Sequence, residues 1–84
     1  MGHCIKINPS ANKYLSSLNI ELRRRIMQTI DKLALVPRPL GCNKLKSHDA
    51  YRIRVGEYRV IDEIHDDVLI VLVVRVAHRR DAYK

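Results

Sequence analysis

Between Tyr51 and Ile61 the chain reads YRIRVGEYRVI, with Tyr51, Ile53 and Val55 alternating with Arg52 and Arg54. A β-strand sends successive side chains to opposite faces. One face of this segment is therefore apolar and suited to a core, while the other carries guanidinium groups. Gly56 breaks the run, and Tyr58-Arg59-Val60-Ile61 resumes it. The short break predicts an antiparallel hairpin that holds several arginines on rigid backbone. A concentrated cationic face of this kind suits a polyanion, because arginine presents paired N–H donors that match phosphate oxygens.

The rest of the composition supports that reading. Sixteen Lys and Arg against nine Asp and Glu give a net charge of +7 over 84 residues. Such a balance favours nucleic acid or another anionic surface as partner. Hydrophobic residues make up 46% of the chain, enough for one modest core in a single domain spanning residues 1–84. Cys4 and Cys42 are far apart in sequence and neither belongs to a CxxC pair, so neither a zinc site nor a redox pair is expected. The N-terminus lacks the basic-then-apolar pattern of a signal peptide. The longest apolar run, Val68 to Val74, is far too short to span a bilayer. The expectation is a cytoplasmic protein with reduced thiols and no membrane association.

Along the chain, Cys4–Ile7 fits a short strand, and Asn8-Pro9-Ser10 supplies helix-start chemistry. A short helix is predicted from Ser10 to Leu18, with Ala11, Tyr14, Leu15 and Leu18 on one face. Asn19 caps a longer helix in which Leu22, Ile26, Met27, Ile30, Leu33 and Ala34 recur at steps of three and four. Pro37 and Pro39 end it. Leu40 to Ala50 reads as a basic loop. Three strands follow, Tyr51 to Val55, Tyr58 to Ile64 and Val68 to Val76, with Gly56-Glu57 and His65-Asp66-Asp67 as turns. The last strand is apolar on both faces, which predicts a position inside the sheet. Tyr14, Tyr51 and Tyr58 read as core residues. The predicted architecture is α+β: an N-terminal helical hairpin packed on a small, mostly antiparallel β-sheet.

The residues that carry chemistry are then Arg52, Arg54 and Arg59 on the hairpin, with His78, Arg79 and Tyr83 in the basic tail. Together they describe a positive site that binds phosphate and stabilises developing negative charge. A tail tyrosine adds a ring that stacks on a base. Residue types alone make this a binding site rather than an active site. The plainer alternative has Arg52 and Arg54 as solvent-facing residues that contact a protein partner, and His78 as a surface residue.

Two segments carry a family resemblance. YRIRVGEYRVIDEI (Tyr51 to Ile64) resembles the central hairpin of the RelE/ParE superfamily of bacterial and archaeal toxins, and VRVAHRRDAY (Val74 to Tyr83) resembles its closing segment. PRPLGCNKLK (Pro37 to Lys46) is similar to the loop joining the family's helices to its sheet. The resemblance implies the toxin component of a type II toxin–antitoxin system. For RelE-like members it implies an endoribonuclease that cuts messenger RNA in the ribosome, with no metal and no small-molecule cofactor. In that reaction the ribose 2′-hydroxyl attacks the adjacent phosphorus. The implied partners are a cognate antitoxin, the ribosome and messenger RNA. The alternative within the superfamily is a ParE-like inhibitor of DNA gyrase without nuclease activity. A third reading is a toxin-derived protein that acts only in complex with an antitoxin.

Carried over by position, the resemblance assigns Arg52 and Arg54 to the two basic residues of the first hairpin strand, which are lysines in the best-studied pattern. It assigns Arg59 to phosphate support, Arg79 to phosphate stabilisation or leaving-group protonation, and Tyr83 to stacking. Outside that carry-over, Lys44 and Lys46 of the basic loop read as RNA-backbone contacts rather than reacting groups. The lysine-to-arginine change has a physical consequence. Lysine can be deprotonated when buried among like charges, whereas arginine stays charged. Arg52 and Arg54 therefore suit charge stabilisation and not proton abstraction. His78 is the tail's candidate acid or base, since imidazole titrates near neutrality. His48 and Asp49 are the titratable groups of the preceding loop.

Overall fold

The computed structural model describes residues 2–45 and 50–82, with the backbone alone for Asp81 and Ala82. The elements run β1 (Cys4–Ile7), α1 (Pro9–Ser16), α2 (Ile20–Lys32), β2 (Asn43–Lys44), β3 (Ala50–Val55), β4 (Tyr58–His65), β5 (Ile70–His78) and α3 (Arg79–Ala82). Both long helices begin where an asparagine satisfies exposed N–H groups. The Asn8 side chain accepts from the Ser10 N–H at 3.1 Å, with Pro9 opening α1. The Asn19 side chain accepts from the Leu22 N–H at 2.9 Å.

The strands form one five-stranded sheet in the order β1-β5-β4-β3-β2. β1 runs parallel to β5, and every other pair is antiparallel. α1 packs against β5 and α2 against β3. The core lies between these helices and one face of the sheet. It joins Ala11, Leu15, Ile26, Ile30 and Leu33 to Ile53, Val55, Val60, Ile64, Val71, Val73 and Val76. Among the described residues, no helix is long and apolar enough to cross a membrane.

Three expectations are refined. The strand expected at Cys4–Ile7 is present as β1, so the helical hairpin follows a strand rather than standing as the N-terminal element. The Cys4 N–H donates to Leu69 O at 2.7 Å and the Asn8 N–H to Val73 O at 2.8 Å, tying the N-terminal segment alongside β5. The last strand starts at Ile70 rather than Val68, because the turn uses Asp66 to Leu69. Leu69 takes φ +55°, a left-handed conformation that a branched apolar residue seldom adopts. The basic loop contains a two-residue edge strand, β2, paired with Tyr51 and Arg52. Burial of Tyr51 and partial burial of Tyr14 and Tyr58 agree with their core reading.

A carboxyl group sits inside this core. Asp62 pairs across β4 with Tyr51 on one side and Val73 on the other, is 0% exposed, and neither oxygen has a hydrogen-bond partner among the described residues. Burial away from water pushes its pKa up from 3.8 to about 6, opposed by the dipole of its own backbone N–H and by the Arg38 charge. The folded protein thus holds a proton that the unfolded chain has already released between these values. Its contribution to stability is greatest below pH 4 and is lost as the pH rises to about 6, a loss of roughly 3 kcal/mol. Urea unfolding across pH 4 to 7 should show that decline in the wild type, and Asp62→Asn should remove it. Identical pH slopes for the two proteins would contradict this account.

Candidate nucleic-acid interface

The hairpin register decides which arginines meet. The turn residues Gly56 and Glu57 join β3 to β4, and Gly56 takes φ +58°. Glycine at the first central position with φ > 0 is the pattern of a type II′ hairpin turn. Across this turn Arg54 stands directly opposite Arg59, and Arg52 opposite Ile61. Directly opposed residues of an antiparallel pair share a face. Tyr51, Ile53 and Val55 lie on the helix side, so Arg52, Arg54 and Arg59 all lie on the open side.

The turn also gathers two arginines through its carbonyls. Arg54 Nε donates to Gly56 O at 3.2 Å. The Arg79 backbone N–H donates to Glu57 O at 2.7 Å, and its Nη1 lies 3.4 Å from Glu57 Oε2. Arg79 therefore opens α3 at the same end of the sheet as the Arg54–Arg59 pair. Arg59 is held most closely of the set, at 8% exposure, between Arg54 on β3 and the small Ala77 on β5. A guanidinium partly withdrawn from water interacts more strongly with an anion than one in bulk solvent.

Two residues named from the sequence fall elsewhere. His78 pairs with Tyr58, and its ring meets the Tyr58 ring edge-on at 5.3 Å. Tyr58 in turn packs near Tyr14 of α1, whose hydroxyl accepts the His78 N–H at 3.3 Å. His78 thus stands on the helix side of the sheet, across from Arg52, Arg54 and Arg59. Lys44 pairs with Tyr51, so its strand position also directs it to the helix side. Lys46, Tyr83, His48 and Asp49 lie outside the described residues.

Arg75 was not singled out from the sequence. It pairs with Ile61, is exposed, and joins the open face beside the other arginines. It sits in an apolar run, where alternation from Val71 and Val73 predicts burial. No pattern in that run announces the β-bulge that turns it outward.

A family model described as the ParE toxin of the type II toxin-antitoxin system parDE matches residues 5–83. The chain belongs to the RelE/ParE toxin superfamily. It is accordingly a toxin of a type II toxin–antitoxin system. No curated protein matches it. Among solved structures it is similar to the archaeal RelE–RelB complex from Pyrococcus horikoshii OT3. The identity is 26% and the TM-score 0.83, over 96% of this chain and 99% of that one. The RelB–RelE antitoxin–toxin complex from Methanococcus jannaschii gives 29% identity and a TM-score of 0.73, over 93% and 94%. The RelBE2 toxin–antitoxin complex from Mycobacterium tuberculosis, at 21% identity and a TM-score of 0.82 over 94% and 100%, shares the fold.

For a RelE/ParE toxin this face carries an internal cost. Like charges placed directly opposite on neighbouring strands destabilise a sheet by up to about 1 kcal/mol. Arg54→Thr, which keeps a strand-forming residue opposite Arg59, should therefore raise the unfolding free energy by about 0.5–1 kcal/mol in low salt. Denaturant titration checks this, and a loss of stability would show that the Arg54–Arg59 pairing is favourable.

Proposed function

We propose that this toxin is a ribosome-dependent messenger RNA endoribonuclease whose catalytic face is the arginine cluster on the open side of the sheet. The observation that carries the reading is the register that sets Arg54 opposite Arg59, with Arg52 one row away and Arg79 anchored to the same turn. Arginines converging at one end of a sheet fit a phosphodiester whose charge grows as the 2′-hydroxyl attacks phosphorus. Arg59, largely withdrawn from solvent, acts as the fixed phosphate ligand. Arg52 and Arg54 neutralise the non-bridging oxygens. Arg79, tethered through Glu57, faces the leaving 5′-oxygen, and Tyr83 supplies the stacking ring.

The chemistry assigned here is charge stabilisation and positioning, since arginine does not give up its proton. His78 lies across the sheet from the cluster, so an acid or base from this chain is sought in His48 and Asp49 of the loop before β3. Its partner is a cognate antitoxin, in keeping with the similar RelE–RelB complexes. The second reading, a gyrase-directed toxin without nuclease activity, is favoured by the ParE description of the matching family model. Fold alone does not separate the two.

Induction in a bacterium followed by primer extension on ribosome-bound messenger separates them. The wild type should produce new codon-phased cuts, and Arg79→Ala and Arg59→Ala should each reduce cutting at least a hundredfold, in line with loss of a charge-stabilising donor. Growth arrest without such cuts, accompanied by inhibited supercoiling by purified gyrase, would establish the second reading instead.

A further inference from the structure

β4 and β5 do not pair in one continuous register. Ile61 lies opposite Arg75, but the next residue, Asp62, lies opposite Val73, so β5 carries the extra residue Val74. A bulge of this kind shifts the side-chain parity of the bulged strand by one and re-aims the residues that follow. Before it, Val71 and Val73 enter the core; after it, Val76 does. Uninterrupted alternation would have sent Arg75 inward with Val71 and Val73. The bulge places it on the open face instead, exposed, in one row with Ile61 and Arg52.

The surroundings of Arg75 differ from those of the other arginines. β1 ends at Ile7 opposite Val73, after which the chain turns into α1. On that edge of β5, opposite β4, no strand among the described residues continues past that point. The space there is a groove of about 420 Å³ lined by Ser10, Ala11, Tyr14, Val74, Arg75 and Ala77, among others. Its lining combines the polar residues Ser10, Tyr14 and Arg75 with the apolar Ala11, Val74 and Ala77. Arg75 is two strands from Arg52, roughly 10 Å between backbone positions, with Ile61 between them. That offset fits a different phosphate of the same strand from the one gripped by Arg54 and Arg59.

We propose that Arg75 and the adjoining groove between α1 and β5 form a second phosphate-binding subsite, which takes the backbone of single-stranded RNA flanking the cleaved nucleotide. This rests on the RNA-cleaving reading and extends it. The phosphate chosen for cleavage is then set by contacts on both sides: the Arg54–Arg59 pair at the reacting centre and Arg75 further along the strand.

The test uses the full chain and an uncleavable 2′-O-methyl oligouridine carrying a fluorophore, with binding followed by anisotropy over a range of salt. A 2′-O-methyl dinucleotide, too short to reach the groove, serves as the second probe. Arg75→Gln should weaken the longer RNA about three- to tenfold and reduce the magnitude of the salt slope by about 0.7, the value for one lost phosphate contact on a single strand. Dinucleotide binding should stay unchanged. Arg75→Lys should keep the wild-type slope, and circular dichroism should show all variants folded.

If Arg52→Gln weakens the longer RNA and Arg75→Gln does not, the subsite is refuted and the RNA reading stands. An Arg75→Gln variant that loses affinity only for the antitoxin refutes the subsite in favour of a protein contact. If the wild type binds neither probe, the subsite is refuted, and codon-phased cutting on the ribosome alone decides the RNA-cleaving reading.

Discussion

The turn at Gly56 and Glu57 fixes the side of the sheet that every residue of β3 and β4 faces. A slip of one residue there would send Ile53, Val55 and Val60 to solvent and Arg52 and Arg54 into the core. The large energy of burying that apolar set locks the register. The same register places Arg54 against Arg59, an arrangement that two like charges do not favour by themselves. The core thus holds in place what the arginines would avoid. The turn supports the site directly as well, since its two carbonyls accept from the Arg54 side chain and the Arg79 backbone. One two-residue turn therefore sets the fold's register and the spacing of its cationic groups.

The two faces of the sheet divide the labour. The helix side holds the apolar core together with Asp62, a carboxyl that burial keeps partly protonated and that weakens the fold as pH rises. The open side holds the arginines. His78, at the end of β5, belongs by register to the first of these and is packed on Tyr58. Arg79, one residue later, is released from the strand pattern into α3 and returns to the turn. The change from strand to helix at this position is what brings a tail residue to the hairpin arginines.

Much of this was legible in the sequence, for identifiable reasons. The arginine–apolar alternation of Tyr51 to Val55 is a period-of-two signal, and Gly56 marks its turn, so the hairpin and its cationic face could be read directly. Asn19 and the three-four spacing of Ile26, Ile30 and Leu33 gave α2 its start and its buried stripe. What could not be read depends on contacts distant in sequence. β1 could be read as a strand, but its parallel pairing with β5 leaves no local mark. Val68 and Leu69 look like strand residues but serve the turn, because Leu69 adopts a left-handed conformation that its side chain gives no hint of. Arg75 lies in a run of valines, and only the bulge opposite Ile61 and Asp62 turns it outward. His78 looked like a site residue because it neighbours Arg79 in sequence, yet its strand register puts it on the helix side, against Tyr58.

In the proposed function, RNA phosphate binds the arginines of the open face and not those around α2. Arginine side-chain N–H signals followed by NMR during titration with an uncleavable RNA strand test it most directly. The Nε–H resonances of Arg52, Arg54, Arg59 and Arg79 should shift together and saturate at one RNA concentration, while that of Arg38, which donates to the Tyr51 hydroxyl on the helix side, stays in place. Shifts confined to Arg38 and the arginines of α2, with the hairpin arginines unmoved, would contradict it.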